Sequence, residues 1–150
     1  MNRRTLLATA VALIPLAACA TKLTISQVAA DINLEAQGLA PFVAALAAVP
    51  NIPAATVAKA QSLFAVIQAD AKAFAASVAN PPAGTVQEVQ QAVQGLAAIA
   101  ATIPALAPYA LVIQAAVALL PVMLTAVGVP VVGGAPKMSA AQARAVLAAQ

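Results

Sequence analysis

The chain has 150 residues, of which 63% are apolar, 7% are charged and 45 are alanine. Alanine is the strongest helix former and disordered chains are poor in apolar residues, so the composition predicts one all-α domain. The formal net charge is +3, but no cluster of Lys or Arg interleaves with aromatic residues, which argues against binding to nucleic acid.

Residues 1–18 have the three parts of an export signal. Arg3 and Arg4 give a positive start, the apolar stretch from Leu6 to Leu16 follows, and small residues close the segment. The apolar stretch is shorter than the 20 or so residues that span a bilayer. Arg3-Arg4-Thr5-Leu6-Leu7 resembles a twin-arginine signal in part, so the general secretory route and the twin-arginine route both remain open.

Leu16-Ala17-Ala18-Cys19 resembles the lipobox of bacterial lipoproteins. The resemblance implies that a diacylglycerol is added to the Cys19 thiol, that cleavage precedes Cys19, and that the new amine is acylated with a fatty acid such as palmitate. Two or more acyl chains hold a protein firmly on a membrane. Cys19 is the chain's single cysteine, so it cannot form an internal disulfide. The alternative is an ordinary signal peptide with a chance cysteine.

The same resemblance predicts the location and the domain plan. The protein is expected on the periplasmic side of the cell envelope, with membrane lipid as its partner through Cys19. Ala20 rather than aspartate follows the cysteine, which favours the outer membrane over the inner membrane. Residues 19–23 form a short tether, and residues 24–150 form the alanine-rich domain.

The first predicted helix runs from Thr24 to about Val49. Thr24 and Gln27 have the spacing of a capping box, in which each side chain accepts a hydrogen bond from a free backbone N–H. Pro41 is expected to bend or split the helix near Gly38. Asp31 and Glu35 lie one turn apart, and we expect a solvated stripe there rather than a paired-carboxylate site.

The second and third predicted helices, 54–79 and 85–103, form an antiparallel hairpin. Pro50–Pro53 and Asn80–Gly84 are the turns before them, and Thr85 with Glu88 has the spacing of a second capping box. Each helix carries an apolar stripe with steps of three and four residues: Val57, Ala60, Phe64, Ile67, Ala71, Phe74 and Val78, then Val86, Val89, Val93, Leu96, Ala100 and Ile103.

From Leu96 the character of the domain changes, and no charged residue occurs between Glu88 and Lys137. We expect the apolar segment 109–127 to lie inside a bundle rather than to span a membrane, with Pro121 breaking the helix. Gln114 is expected to satisfy a buried backbone group or to contact another helix.

A third capping box, at Ser139 and Gln142, opens a short last helix, with Arg144 facing outward and Val146 and Leu147 facing inward. The predicted fold is therefore an all-α antiparallel bundle of four main helices with a short fifth at the C-terminus.

The sequence does not predict catalysis. It has no histidine, and lipid would block Cys19, so metal sites built on His or Cys and nucleophile–base pairs lack their usual groups. We predict no cofactor, no metal and no enzymatic activity.

Three functions remain open. The first is a lipid-anchored envelope protein with a structural role or an envelope protein as partner. The second is a membrane-active protein of the prophage lysis or pore type, in which region 96–134 inserts into the bilayer. The third is a carrier that holds an apolar ligand in the bundle interior.

Overall fold

A computed structural model describes residues 23–77, 84–131 and 135–150. Within these ranges the protein is all-α without strands, and the predicted plan of four main helices and a short C-terminal helix is confirmed. The helices are α1 (Ile25–Ala48), α2 (Ala54–Ala76), α3 (Thr85–Thr102), α4 (Ala110–Ala126) and α5 (Ala140–Ala148), with a 3₁₀ helix at Pro104–Tyr109. The predicted signal and lipobox residues lie outside the described residues: Arg3, Arg4, Leu16, Ala17, Ala18 and Cys19.

Each helix packs on the next one along the chain, and α1 also contacts α4 and α5. Two contacts fix the directions. The rings of Phe42 and Tyr109 meet edge to face with centroids 6.0 Å apart, so α4 starts beside the C-terminal half of α1. Arg144 and Leu147 of α5 lie against Asp31 and Gly38 of α1, in that order, so α5 runs parallel to α1. The start of α1, the end of α4 and the start of α5 therefore share one end of the bundle.

The core consists of the apolar stripes that the sequence predicts, joined by α4. On α2 the buried members are Ala60, Ile67, Ala71 and Phe74, and on α3 they are Val86, Val89, Val93 and Leu96. Helix α4 contributes nine buried residues, more than α2 or α3 among the described residues. Full burial of one Leu, Ile or Phe side chain stabilises a fold by about 1.5–3 kcal/mol, so α4 is a central packing element of the bundle.

Two of the three predicted capping boxes are confirmed. Thr24 with Gln27 and Ser139 with Gln142 each make the reciprocal side chain–backbone hydrogen bonds. The third prediction is wrong, because Gly84 is the N-cap of α3 and Thr85 is its first helical residue, 5% exposed. Burial of Thr85 against the core prevents it from standing outside the helix as a cap.

Helix α4 ends in a Schellman motif. The N–H of Gly128 donates to the carbonyl of Thr125 (3.1 Å), and the N–H of Val129 donates to the carbonyl of Leu124 (2.9 Å). This pairing requires a left-handed residue after the cap, and Gly128 has φ +78°. The motif turns the chain sharply towards α5.

The prolines inside α1 and α4 interrupt neither helix. Of the predicted bend or split at Pro41, the split is therefore wrong, and the predicted break at Pro121 is wrong as well. A proline cannot donate to the carbonyl four residues earlier. Those carbonyls belong to Gln37 and Val117, both of which are exposed residues. Water can satisfy a carbonyl on the exposed side of a helix. The hydrogen bond lost at each proline therefore costs little enough stability for the packing of neighbouring residues to offset it.

Glycines permit two close helix contacts. A Cβ atom on Gly38 would lie 2.6 Å from Cδ2 and 3.3 Å from the backbone Cα of Leu147, so α5 sits directly on the backbone of α1. A Cβ atom on Gly95 would lie 2.7 Å from Cδ1 of Leu63, which is the end of a flexible side chain. The first contact cannot adjust without moving a helix, whereas the second can adjust by a rotamer change.

We therefore predict that Gly38→Ala lowers the free energy of unfolding, by about 1 kcal/mol after the gain in helix propensity is subtracted from the overpacking. Gly95→Ala is the matched control and should be close to neutral, since the same propensity gain meets a side chain that can move. Urea unfolding followed by circular dichroism measures both. Equal effects of the two substitutions would contradict the rigid contact between α1 and α5.

Candidate functional site

Asp31 and Glu35 lie inside the bundle, so the expectation that they form a solvated stripe is wrong. Asp31 is 4% exposed and Glu35 is 0% exposed. Both stand on the core face of α1, in register with Val28, Ile32 and Leu39, all of which are fully buried. The apolar surroundings that a perturbed carboxylate needs are therefore present around Glu35.

Arg144 of α5 pairs with Asp31, so the expectation that Arg144 faces outward is also wrong. Its Nε donates to Oδ1 of Asp31 at 2.7 Å and its Nη2 donates to Oδ2 at 2.6 Å. The two parallel bonds match the planar guanidinium to the planar carboxylate. The hydrogen bonds to Asp31 raise the pKa of Arg144, against the opposing effect of its partial burial. This ion pair joins residues 113 positions apart in the chain.

Glu35 has no such partner. Both of its carboxylate oxygens are buried without a hydrogen bond to the described residues. Burial raises the pKa of Glu35 well above 4.5, and repulsion from the nearby Asp31 adds to the effect. Burying an ionised carboxylate without a partner is very costly, and such a group becomes neutral instead. Burial therefore favours the neutral form of Glu35 in the core.

Asp70 of α2 is the third buried acid, with 9% of its surface exposed and its Oδ2 atom without a hydrogen-bond partner. Burial raises its pKa above 3.8, and repulsion from Glu88 on α3 contributes a smaller part. Glu88 is exposed, so three of the four acids in the chain lie in the interior. Two of these buried acids, Glu35 and Asp70, keep carboxylate oxygens without a hydrogen-bond partner among the described residues, which costs stability.

The sequence contains a signal for this burial. The positions of Val28, Asp31, Ile32, Glu35 and Leu39 follow steps of three, one, three and four, which is the spacing of one buried helix face. The two acids occupy positions of this face, although their polarity alone favours the solvent side of the helix. The partner Arg144 lies 113 residues away and has no local sequence signal.

The cluster of Asp31, Glu35 and Arg144 supplies a neutral acid and a closed ion pair. Among the described residues, no group of three or more His, Cys, Asp or Glu is placed to hold a metal ion. Asp31 and Arg144 also border an open groove of about 550 Å³ between α1 and α5, whose other polar members are Gln27, Asn33 and Gln37. The side chains of this groove can form hydrogen bonds, and the described residues there include no nucleophile–base pair.

A second groove, of about 630 Å³, lies between α1 and α2 and is lined mostly by alanine. It shares Asn33 and Gln37 with the first groove, so this side of the bundle exposes amide side chains. Gln68 and the cationic Lys72 complete its polar lining. Both grooves are open to solvent.

Helix α4 has a different outer surface. Leu111 is 54% exposed and Val117 is 38% exposed, and Gln114 between them is also exposed. Gln114 therefore lies outside the core, on the rim of a groove of about 330 Å³ that Ala97, Pro121 and Lys137 also border. Of the described residues, the run Pro104–Ala126 is long and apolar enough to span a bilayer by length and composition. An 18-residue window within it has a mean hydropathy of 2.0, and half of that window is buried in the bundle.

Comparison of the chain with protein-family models, with curated protein sequences and with solved structures finds no match.

We predict that the free energy of unfolding falls as the pH rises above 4.5, because folded Glu35 keeps a proton that the unfolded chain releases. One such group contributes a slope of about 1.4 kcal/mol per pH unit, from its unfolded pKa up to its folded pKa. Glu35→Gln should remove this contribution and raise stability at neutral pH. Asp70→Asn should have a smaller effect of the same sign. Urea unfolding at a series of pH values measures the slopes.

Ala44→Glu is the control for this experiment. It places a carboxylate on the exposed side of the same helix, where it should leave the pH dependence unchanged. If Glu35→Gln and the native protein show the same pH dependence, Glu35 is not held neutral in the fold.

We also predict that Arg144→Ala costs about 2 kcal/mol of unfolding free energy, because it leaves the buried Asp31 carboxylate without its partner. The double variant Asp31→Ala with Arg144→Ala should cost less than the sum of the single changes, since it removes both charges. Lys59→Ala, which removes an exposed cation from α2, is the control and should be close to neutral. Equal effects of Arg144→Ala and Lys59→Ala would show that the ion pair does not hold α5 on α1.

Proposed function

We infer that the protein is a lipid-anchored component of a bacterial cell envelope, with a structural or partner-binding role and no catalytic activity. The observation that carries this proposal is the motif Leu16-Ala17-Ala18-Cys19, which follows Arg3, Arg4 and an apolar segment. The four residues match the lipobox in type and stand at the expected place in an export signal. The thiol of Cys19 is the group to which we assign the attachment.

The described domain supports a role without catalysis. Its buried acids lie away from the open grooves or, like Asp31, are closed in an ion pair, and the side of the bundle formed by α1, α2 and α5 exposes mainly amides and alanine. Amide side chains such as Asn33 and Gln37 donate and accept hydrogen bonds, which suits the recognition of a partner's polar surface. We propose this side as the partner-facing side, turned towards the periplasm, and the outer membrane as the location.

The proposal predicts that the native protein incorporates a palmitate analogue during growth and that Cys19→Ala does not. The native protein should float with outer-membrane vesicles, whereas the variant should lose that association. Ala20→Ser, which changes the residue after the cysteine without touching the thiol, is the control and should be labelled normally. An unlabelled native protein would refute lipid attachment.

A second function remains, membrane insertion of region 96–134, and one observation favours it. The run Pro104–Ala126 has the length and the hydropathy of a membrane-spanning segment, and its surface is partly exposed. Extraction of exported Cys19→Ala discriminates between the two proposals. Release into the soluble periplasmic fraction contradicts insertion, and retention in the membrane pellet after alkaline carbonate treatment contradicts a purely lipid-mediated attachment.

The apolar-ligand carrier is not part of the proposal, because the grooves that the described residues line are open to solvent rather than enclosed in the bundle. If a carrier role held despite this, organic extraction of the purified protein would release a stoichiometric lipid, which mass spectrometry would detect.

A further inference from the structure

We propose that the bundle lies on the bilayer surface through one face of α4. Leu111, Val117 and the segment that ends at Val131 contact the lipid headgroups and the upper acyl chains there. We call the exposed and half-exposed residues of this helix side the α4 outer face: Leu111, Gln114, Val117, Pro121 and Thr125. The inference rests on the proposed attachment through Cys19 and adds to it the surface that meets the lipid.

Exposed apolar side chains are concentrated on α4 and on the segment that follows it. Among the described residues, the large apolar side chains that are exposed are Leu111, Val117 and Val131. All three fall within residues 89–136, a stretch of sequence without an ionisable acidic or basic side chain. A surface without charge suits an interface with apolar matter, and the α4 outer face carries a single exposed amide, Gln114, whereas α2 exposes two lysines.

The residues of the α4 outer face form one continuous side of the helix. Successive members of the α4 outer face are separated by three, three, four and four residues, which places them along one side of the helix. The Schellman motif at the end of α4 continues into Val131, which is 40% exposed. The surface therefore runs along the bundle and ends where α1 begins, since α4 runs antiparallel to α1.

The short chain between Cys19 and α1 limits how far the bundle can lie from the membrane. Five residue steps separate Cys19 from Thr24, the N-cap of α1, and span at most about 17 Å when fully extended. Packed helices have axes about 8–10 Å apart, and a helix with side chains has a radius of about 5 Å. The membrane therefore lies within about one helix layer of the start of α1, a distance that includes the outer surface of a helix in contact with α1.

The other helices that contact α1 are less suited to contact a bilayer than α4 is. Helix α2 exposes Lys59 and Lys72 together with Gln61 and Gln68, and α5 exposes Gln142 and carries the half-buried Arg144. Burial of the cations Lys59, Lys72 and Arg144 in the acyl region would remove their hydration, whereas α4 brings one uncharged amide, Gln114, to the lipid headgroups. Helix α4 exposes no charged side chain, and the cation that borders its groove, Lys137, is exposed where it can contact lipid phosphates. The α4 outer face is the neighbouring surface that fits a bilayer.

The test uses the lipidated full-length protein, reconstituted in vesicles of phosphatidylethanolamine and phosphatidylglycerol. Leu111→Cys or Val117→Cys carries an environment-sensitive fluorophore, and Gln61→Cys on α2 is the matched control. We expect a blue-shifted emission that nitroxide-labelled lipid quenches at positions 111 and 117, and an unshifted emission that aqueous iodide quenches at position 61. All three positions are exposed, and circular dichroism confirms that the labelled variants keep the helical fold.

The outcomes separate this inference from the attachment itself. If the protein incorporates the palmitate analogue but iodide quenches positions 111 and 117 as strongly as position 61, the α4 outer face is not on the membrane, and the attachment through Cys19 still stands. If positions 111 and 117 are shielded from both quenchers, a protein or a second copy covers the face and the inference is wrong. If the native protein is not acylated, the proposed function fails first.

Discussion

The contact between Arg144 and Asp31 is the constraint on which the arrangement of the bundle depends. It fixes α5 against α1 and lets one carboxylate sit in the interior with only 4% of its surface exposed. Gly38 allows the approach, because any Cβ atom there would meet the backbone of Leu147. Glu35, one turn after Asp31 on the same face of α1, is fully buried, and this burial raises its pKa.

A core of this kind is stable only because the rest of the chain packs efficiently. Alanine lets the helices approach closely, and the large side chains of α4 fill the space between them. Three buried acids in a small domain work against that packing, since each loses its hydration. Of the three, Asp31 is the acid that pairs with α5, through Arg144, and this contact sets where α5 docks on α1.

Most of the fold follows from the sequence, because its signals are local. The capping boxes at Thr24 and Ser139 and the three-four stripes of α2 and α3 each depend on residues within one helix. The site does not follow in the same way. Asp31 and Glu35 are recognised as core residues only when their helical spacing is given more weight than their polarity. The pairing of Asp31 with Arg144 depends on a contact across 113 residues, which no local pattern predicts. Thr85 and the two prolines differ from expectation for a related reason, since tertiary packing at these positions outweighs local preference.

The long separation between Asp31 and Arg144 also has a consequence for how the molecule comes together in time. During synthesis, α1 to α4 emerge with a carboxylate that belongs in the interior but still lacks its cation. Closing such a distant contact is slow compared with forming the hairpin of α2 and α3. The bundle is therefore completed by its last helix. Until α5 has been made and docked, the Asp31 carboxylate lacks its cation and α1 lacks the close contact between Gly38 and Leu147.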